Sequence, residues 1–241
     1  MLAAFDRVTC PIYSETPVGF DHEGTAALVQ SRKSTWVVTS SHVVVGLSAA
    51  RFWIGGKPLQ PLGEETVYFC PPPADVAFFQ LNEMKANAVR AAGTRFLSLA
   101  AFGSYEDGPR DCVVTGYPYR WASDPSVTID PETELISAQQ MAYQSTLLSR
   151  AKLEFVPGIN RSVNVAVKAD RMNEIESGKN ISVARFDFIR LSGGIIWQRQ
   201  SDNITRAIAI VTDHDPKLKL LLGTIVTPLI FKMAEKLGPD F

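Results

Sequence analysis

The segment Trp36-Val-Val-Thr-Ser-Ser-His-Val-Val44 joins a strand to a histidine. Its apolar, β-branched first half is typical of a buried strand, and small hydroxyl residues then lead to His42. A second segment, Ala74-Asp-Val-Ala-Phe-Phe-Gln-Leu81, places an acid before another apolar strand. In the third, Arg190-Leu-Ser-Gly-Gly-Ile-Ile-Trp197, a serine on a glycine turn precedes the strand. Each segment therefore presents one polar side chain at the end of a buried strand.

The apolar stretches elsewhere in the chain have the same character. Most are short, rich in β-branched or aromatic residues, and bounded by Gly, Pro, Asp, Asn or Ser. They lie too close together for βαβ crossovers, so the sequence predicts an all-β protein with an antiparallel barrel or sandwich. The predicted strands are Thr25–Val29, Thr35–Thr39, Val67–Cys70, Val76–Leu81, Asp111–Thr115, Ser162–Val167, Ile181–Phe188, Ile195–Trp197 and Ala207–Val211.

Three stretches favour helices instead. Asn82–Ala92 and Thr133–Arg150 are poor in β-branched residues and rich in Ala, Glu, Gln, Met and Leu, which is typical of short helices or helical loops. At the end of the chain, Thr227 can cap a helix, Pro228 suits its first position, and Gly238 ends its apolar face. The sequence therefore predicts one amphipathic helix at the C-terminus.

Composition limits the classes of function. Hydrophobic residues make up 46% of the 241 residues, and the net charge of −1 disfavours a protein built mainly to hold nucleic acid or anionic lipid. The length fits one large domain or two fused halves, because a typical domain has about 150 residues. Strands give way to Gly and polar residues near Gly93–Gly108, where the boundary between an N-terminal half (1–100) and a C-terminal half (101–241) is predicted.

Cysteine usage and the lack of long apolar runs favour a reducing, cytoplasmic location. Cys10, Cys70 and Cys112 are an odd number without a C-x-x-C pair, so neither a disulfide framework nor a cysteine-rich zinc site is expected. The first residues lack the basic and apolar regions of a signal peptide. No stretch approaches the roughly 18 uninterrupted apolar residues of a membrane span.

His42, Asp75 and Ser192 are residue types that cooperate in nucleophilic catalysis. A serine hydroxyl becomes a good nucleophile when a neighbouring imidazole takes its proton during attack. The imidazole works best when a buried carboxylate holds its tautomer and stabilises the imidazolium. Gly193 and Gly194 would allow a tight turn whose backbone N–H groups point at a developing oxyanion.

In the order His, Asp, Ser, these segments resemble the motifs of the trypsin-like (chymotrypsin-fold) serine peptidases. Residues 39–44 (T-S-S-H-V-V) resemble the family's T-A-A-H motif, residues 74–81 its D-I-A-L-L-x-L strand, and residues 191–197 its G-D-S-G-G-P turn. Residues 24–29 and 113–118 are similar to the family's G-T-G-F-x-V and G-x-P strands. The S-G-G-x-x-W form of the serine motif is similar to that of compact intracellular bacterial members.

The resemblance implies two antiparallel six-stranded β-barrels with a C-terminal α-helix, in a single peptidase domain over residues 1–241. The N-terminal barrel would carry His42 as general base and Asp75 as the orienting acid, and the C-terminal barrel would carry Ser192 as nucleophile. The backbone N–H groups of Arg190 and Ser192 would form the oxyanion hole. The implied function is a serine endopeptidase that acts on a protein or peptide substrate through an acyl-enzyme, without metal or cofactor.

Several positions depart from the family's pattern. Glycine is usual where Arg190 stands, in a conformation that glycine adopts easily and arginine does not. Aspartate is usual where Leu191 stands, so activation through a freed N-terminus cannot operate. Either the oxyanion hole forms with Arg190 in a strained turn, or a substrate or activating partner must rearrange it. The long interval between Asp75 and Ser192 predicts inserted loops at Trp121–Arg171.

The substrate pocket and the remaining histidines are less defined by the sequence. Phe186, six residues before the serine, would line the pocket floor and indicates a shallow or apolar pocket, whereas a shift of one residue would place Asp187 there. His22 and His214 are interpreted as structural or surface residues, and Asp213-His214-Asp215 as a turn.

Two alternatives stay open at this point. A catalytically impaired pseudo-peptidase would use the same fold as a protein-binding module. A non-enzymatic β-barrel interaction protein would carry the three motifs by coincidence, and His42, Asp75 and Ser192 would then lie far apart.

Overall fold

The structure, a computed structural model, describes residues 5, 7–17, 19–31, 34–45, 52–54, 60–61, 65–118, 129–130, 135–136, 140–175, 188 and 190–230. Strands dominate these residues, which confirms the all-β class. In this part of the chain no helix has the length and apolarity needed to cross a membrane.

The first sheet has eight strands, all from residues before 99. They are β1 (Thr9–Thr16), β2 (Gly19–Gln30), β3 (Thr35–Thr39), β4 (Phe52–Ile54), β5 (Gln60–Pro61), β6 (Val67–Phe69), β7 (Ala77–Leu81) and β8 (Leu97–Ser98). The order in the sheet is β5-β4-β1-β2-β3-β7-β6 with antiparallel neighbours, and β8 pairs in parallel with β2.

The second sheet has seven antiparallel strands, all from residues after 110. Between its first two strands, β10 (Ile129–Asp130) and β11 (Leu135–Ile136) form a separate ribbon. The seven strands are β9 (Asp111–Gly116), β12 (Met141–Thr146), β13 (Asn164–Lys168), β14 (Asn173–Glu174), β15 (Ile195–Arg199), β16 (Thr205–Asp215) and β17 (Leu220–Ile225). Their order is β13-β17-β16-β15-β9-β12-β14. A bridge between Leu147 and Val167 links the end of β12 to β13, so the sheet is curled.

Helical segments are short in the described residues. They are α1 (Ser41–Val44), α2 (Glu83–Ala91), α3 (Arg150–Leu153), 3₁₀ turns at Leu99–Ala101 and Ala169–Arg171, and the helical residues 227–230. The predicted helix at Asn82–Ala92 is confirmed as α2, and the Asn82 side chain caps it by accepting a 2.9 Å hydrogen bond from the N–H of Lys85. Residues 227–230 are helical, as predicted, and Gly238 lies outside the described residues.

The two sheets share a hydrophobic core. Trp36 and Phe78 of the first sheet belong to the same buried cluster as Ile195 and Trp197 of the second. The ring of Phe5, near the start of the chain, meets that of Trp197 edge-on at 5.0 Å between centroids. Burial of each such side chain contributes roughly 1.5–3 kcal/mol, so this shared core holds the two sheets against each other.

Eight of the predicted strands are confirmed, and they lie on β2, β3, β6, β7, β9, β13, β15 and β16. Residues 181–187 of the predicted strand Ile181–Phe188 lie outside the described residues. Within the described residues the sheets contain eight and seven strands rather than six each, because the short strands β5 and β14 extend their edges and the short strand β8 pairs with β2.

Two predictions for the middle of the chain are wrong. Most of the described part of Thr133–Arg150 is extended rather than helical, because Met141–Thr146 forms β12, whose alternating burial is the period of a strand, and only Arg150 is helical, as the first residue of α3. Trp121–Arg171 is not inserted loop structure in its described part either, since it supplies β12 and β13 to the second sheet. Ala142, which is partly buried against the shared core, and the exposed Gln144 concealed the strand, because these two residues resemble a helix in composition.

Candidate active site

His42 and Asp75 are brought together by neighbouring strands. His42 lies on α1 directly after β3, and Asp75 lies just before β7, the strand that pairs with β3. The Nδ1–H of His42 donates to Oδ2 of Asp75 at 2.6 Å, and the backbone N–H of His42 donates to Oδ1 at 3.1 Å. Both carboxylate oxygens therefore hold His42, which leaves Nε2 as the ring atom able to accept a proton.

This pair is more exposed than the sequence analysis assumed. The side chain of His42 is 51% exposed and that of Asp75 is 34% exposed, so the orienting carboxylate is not buried. Water around an exposed pair weakens its electrostatic coupling. The geometry of the acid and base is thus set by two hydrogen bonds, with limited support from a low-dielectric surrounding.

Ser192 lies on a turn that the backbone holds tightly. The N–H of Gly193 donates to the carbonyl of Val211 at 2.7 Å, and the N–H of Gly194 donates to that of Leu191 at 2.8 Å. Gly193 has φ +92°, and a side chain there would collide with the carbonyl oxygen of Thr25. Only glycine can occupy this position without moving the strand that carries Thr25.

The first sheet contacts the serine turn through β2. The N–H of Thr25 donates to the carbonyl of Ser192 at 2.8 Å, and a Cβ atom on Gly24 would lie 2.9 Å from the same oxygen. In the Gly24-Thr25 pair, which resembles the family's G-T motif, Gly24 therefore leaves space for the serine turn and Thr25 forms a hydrogen bond with it. Residues far apart in the chain meet here, which no local pattern specifies.

The hydroxyl residues before His42 support the same junction. The Thr39 hydroxyl donates to the carbonyl of Thr25 at 2.7 Å, and the Ser40 hydroxyl donates to that of Val211 at 2.7 Å. Both hydroxyls are buried. The small polar residues of the histidine segment thus hydrogen-bond the two strands that flank the serine turn.

His42, Asp75 and Ser192 line one cavity of about 1060 Å³. Among the described residues no hydrogen bond joins Ser192 to His42, although both face this space. Catalytic hydrogen bonds are often long in the absence of substrate, so the hydrogen bond between Ser192 and His42 can form when substrate binds. The structure thus brings the three predicted residues together, with one of the two triad contacts formed.

Arg190 adopts the backbone conformation that the family's glycine would provide. Its φ is +72°, in the left-handed region, and its guanidinium forms an ion pair with Glu23 on β2. The next residue, Leu191, is fully buried in the core of the second sheet. An apolar anchor thus stands where secreted members of the resembled family use an aspartate.

The cavity is also lined by residues that the sequence analysis assigned elsewhere. Asp213, His214 and the preceding Thr212 line the cavity from the end of β16, and the His214 ring packs on Phe188 at 4.6 Å between centroids. The predicted turn at Asp213-His214-Asp215 is wrong, because these residues end the strand and the turn begins at Pro216. In the sequence, these polar residues follow the predicted strand Ala207–Val211 almost directly, and this was the available sign that the strand continues to Asp215.

The predicted pocket residues Phe186 and Asp187 lie outside the described residues. Phe188 is the nearest described neighbour, and it is buried on the cavity wall. The expectation of a shallow or apolar pocket floor therefore stays a prediction.

His22 has a structural role close to the site. It is 2% exposed, and its Nε2 lies 2.8 Å from the carbonyl oxygen of Gly24, to which a neutral ring donates. Burial lowers its pKa to about 3, so the ring is neutral at pH 7. A neutral His22 thereby supports the strand segment that contacts the serine turn.

Other nucleophiles and metal ligands do not gather in the described part of the chain. Burial raises the pKa of the Cys10 and Cys112 thiols, which keeps both protonated and unreactive. No group of three or more His, Cys, Asp or Glu side chains within the described residues could hold a metal ion. Among the described residues, Ser192 is the serine that lines this cavity together with the imidazole of His42.

Comparison with models of known protein families finds none that matches this chain, and comparison with curated protein sequences finds no significant match.

Proposed function

We propose that this chain is a serine endopeptidase with His42, Asp75 and Ser192 as its triad. The observation that carries the proposal is the double hydrogen bond from His42 to Asp75 beside a cavity that Ser192 also lines. A general base oriented by a carboxylate, next to a hydroxyl on a tight turn, is the arrangement that nucleophilic catalysis requires. If the three motifs were present by coincidence, their polar side chains would not be expected to line the same cavity.

The reaction follows from these roles. Ser192 Oγ attacks the carbonyl carbon of a peptide bond while its proton passes to Nε2 of His42. The N–H groups of Arg190 and Ser192 bind the oxyanion, and no described residue accepts a hydrogen bond from the Ser192 N–H. The tetrahedral intermediate expels the amine, which takes the proton from His42. Water activated by His42 then attacks the acyl-enzyme and releases the carboxylic acid.

The finer architecture belongs to the same proposal. Each sheet would form a barrel of six main strands, with β5, β8 and β14 as short additions; residues 1–100 would surround His42 and Asp75, and residues 101–241 would surround Ser192. A cytoplasmic peptidase needs restraint, so a dedicated protein substrate or an activating partner would complete the site. Neither nucleic acid nor a membrane is proposed as a partner.

A catalytically impaired peptidase that binds protein is the second candidate. The missing Ser192–His42 hydrogen bond and the 34% exposure of Asp75 favour it. Such a protein would bind its target through the same cavity without cleaving it, so binding would survive replacement of Ser192 by alanine.

A fluorophosphonate probe tests the proposal directly, because it phosphonylates only a serine activated by its own active site. Wild type is compared with Ser192→Ala and His42→Ala, and Ser201→Ala serves as a control because Ser201 is exposed and bonds only to Glu106 outside the cavity. We expect wild type and Ser201→Ala to be labelled and the other two variants to be unlabelled. Labelling that persists in Ser192→Ala, or wild type that never reacts, would contradict the proposal.

A further inference from the structure

Arg190 occupies a conformation that costs an arginine energy. Its φ of +72° lies in the region that glycine adopts freely and that other residues avoid because Cβ approaches the carbonyl oxygen. Strained residues of this kind persist only where their surroundings hold them. The surroundings of Arg190 therefore identify what keeps the turn in place.

The guanidinium of Arg190 is held by Glu23. Nη1 of Arg190 contacts Oε2 of Glu23, while the other carboxylate oxygen accepts a 2.5 Å hydrogen bond from the Ser14 hydroxyl. The Glu23 side chain is 19% exposed, so solvent screens this ion pair less than it screens a surface pair. Ser14 fixes the carboxylate, and the carboxylate fixes the arginine.

A β-bulge directs Glu23 toward the serine turn. In the pairing of β1 with β2, Ile12 is opposite Gly24 and Tyr13 is opposite His22, so Glu23 is the extra residue on its strand. Bulges commonly re-aim a side chain next to an active site. Without the bulge, the alternation of the strand would send this side chain in another direction.

The same strand restrains Arg190 through its backbone. The Thr25 hydroxyl lies 3.4 Å from the carbonyl oxygen of Arg190, and the Thr25 N–H binds the carbonyl of Ser192. Glu23 and Thr25 therefore hold the two residues whose N–H groups form the proposed oxyanion hole, one through a side chain and the other through main-chain carbonyls.

We propose that Glu23 is a positioning residue that keeps Arg190 in the left-handed conformation and so maintains the oxyanion hole at rest. This inference rests on the proposed peptidase function. In this proposal, the ion pair between Glu23 and Arg190 stabilises the left-handed conformation that the glycine of the resembled family adopts freely. It also predicts a hole that is formed before any substrate or activating partner binds.

The test is a double-mutant cycle read by fluorophosphonate labelling at several probe concentrations, which separates probe binding from the bond-forming step. In the native background, Glu23→Gln should lower the rate of the bond-forming step by about ten-fold or more and leave probe binding unchanged, because a lost oxyanion donor acts only in the transition state. In an Arg190→Gly background, Glu23→Gln should change this rate by less than about two-fold, because glycine needs no clamp.

Glu154→Gln is the matched control, since it breaks the exposed ion pair of Glu154 with Arg161 outside the cavity and should leave the rate unchanged. An equal effect of Glu23→Gln in both backgrounds would overturn the inference, and so would no effect in the native background.

Urea unfolding of the same variants separates failure of this inference from failure of the proposed function. Replacing Arg190 by glycine should raise the unfolding midpoint more in the Glu23→Gln variant than in the native protein, because only in that variant is the strained residue without its clamp. This result is independent of catalysis. A wild type that no probe labels, together with coupled midpoints, would refute the peptidase and support the clamp, whereas additive midpoints would refute the clamp.

Discussion

The two halves of the candidate site are built in different ways. His42 and Asp75 come from adjacent strands of one sheet, are 51% and 34% exposed, and are joined by local hydrogen bonds. Ser192 sits on a turn held from both sheets, through Thr25 on one side and Val211 on the other. The acid–base pair can therefore be altered with little effect on the fold, whereas the serine turn depends on packing throughout the junction.

The largest effect is expected at Gly193. Gly193→Ala would bring a methyl group into the carbonyl oxygen of Thr25 at a φ that already disfavours alanine, so we expect a loss on the order of 3 kcal/mol or more in the free energy of unfolding and no fluorophosphonate labelling. Urea unfolding measures the first and gel fluorescence the second. Gly158→Ala is the control, because Gly158 also has positive φ but has open space around it, and should cost about 1 kcal/mol.

On the other half of the site, Asp75→Asn should impair the reaction and spare the fold. Asparagine replaces one of the two acceptor oxygens with an NH2 donor and carries no charge, so it neither holds the proton on Nδ1 of His42 nor stabilises the imidazolium as the carboxylate does, and the labelling rate should fall by roughly 10²–10⁴-fold. Since Asp75 is partly exposed, the free energy of unfolding should change by less than about 1 kcal/mol. A variant that unfolds as readily as Gly193→Ala would show that the two halves are not built differently.

His22 makes the junction sensitive to acid. Its pKa is about 3 in the folded protein and about 6.5 in the unfolded chain, so the unfolded state binds more protons as pH falls below 6.5. The stability that neutral His22 provides is complete above that pH and is lost toward pH 3. Between pH 7 and pH 5 we expect a loss of roughly 2 kcal/mol. His22→Gln, which keeps a donor for Gly24, should flatten this dependence in urea titrations, and an unchanged slope would contradict the assignment.

The smallest effect is expected from the hydroxyl of Ser40. Ser40→Ala removes the buried hydrogen bond to Val211 that links the histidine segment to the strand over the serine turn, and should cost about 1 kcal/mol. Ser41→Ala is a matched control one residue away, because the buried Ser41 hydroxyl has no hydrogen-bond partner in the described part of the chain. Thermal or urea unfolding of the pair checks this, and equal losses would remove the proposed link.

The comparison also explains which elements were predictable. Strands such as β3 and β7 were evident because every position of β3 and every position of β7 except Gln80 is buried, and short apolar runs of β-branched and aromatic residues are typical of buried strands. In β12, by contrast, Ala142 is only partly buried and Gln144 is exposed, and their helical propensity concealed the alternation of buried residues. Helical propensity depends on the residue type alone, whereas the sheet to which a strand belongs decides which of its side chains are buried.

By itself the sequence determined the all-β class, the position of helix α2, and the choice of His42, Asp75 and Ser192 as candidates, because composition and local patterns of apolar, turn and reactive residues carry that information. Tertiary structure alone decided that the turn of Ser192 meets Thr25, that a bulge directs Glu23 to Arg190, and that His214 lines the cavity. These contacts join residues from different strands or from the two sheets. Their energies arise from packing and hydrogen bonding between distant segments, which no stretch of sequence contains.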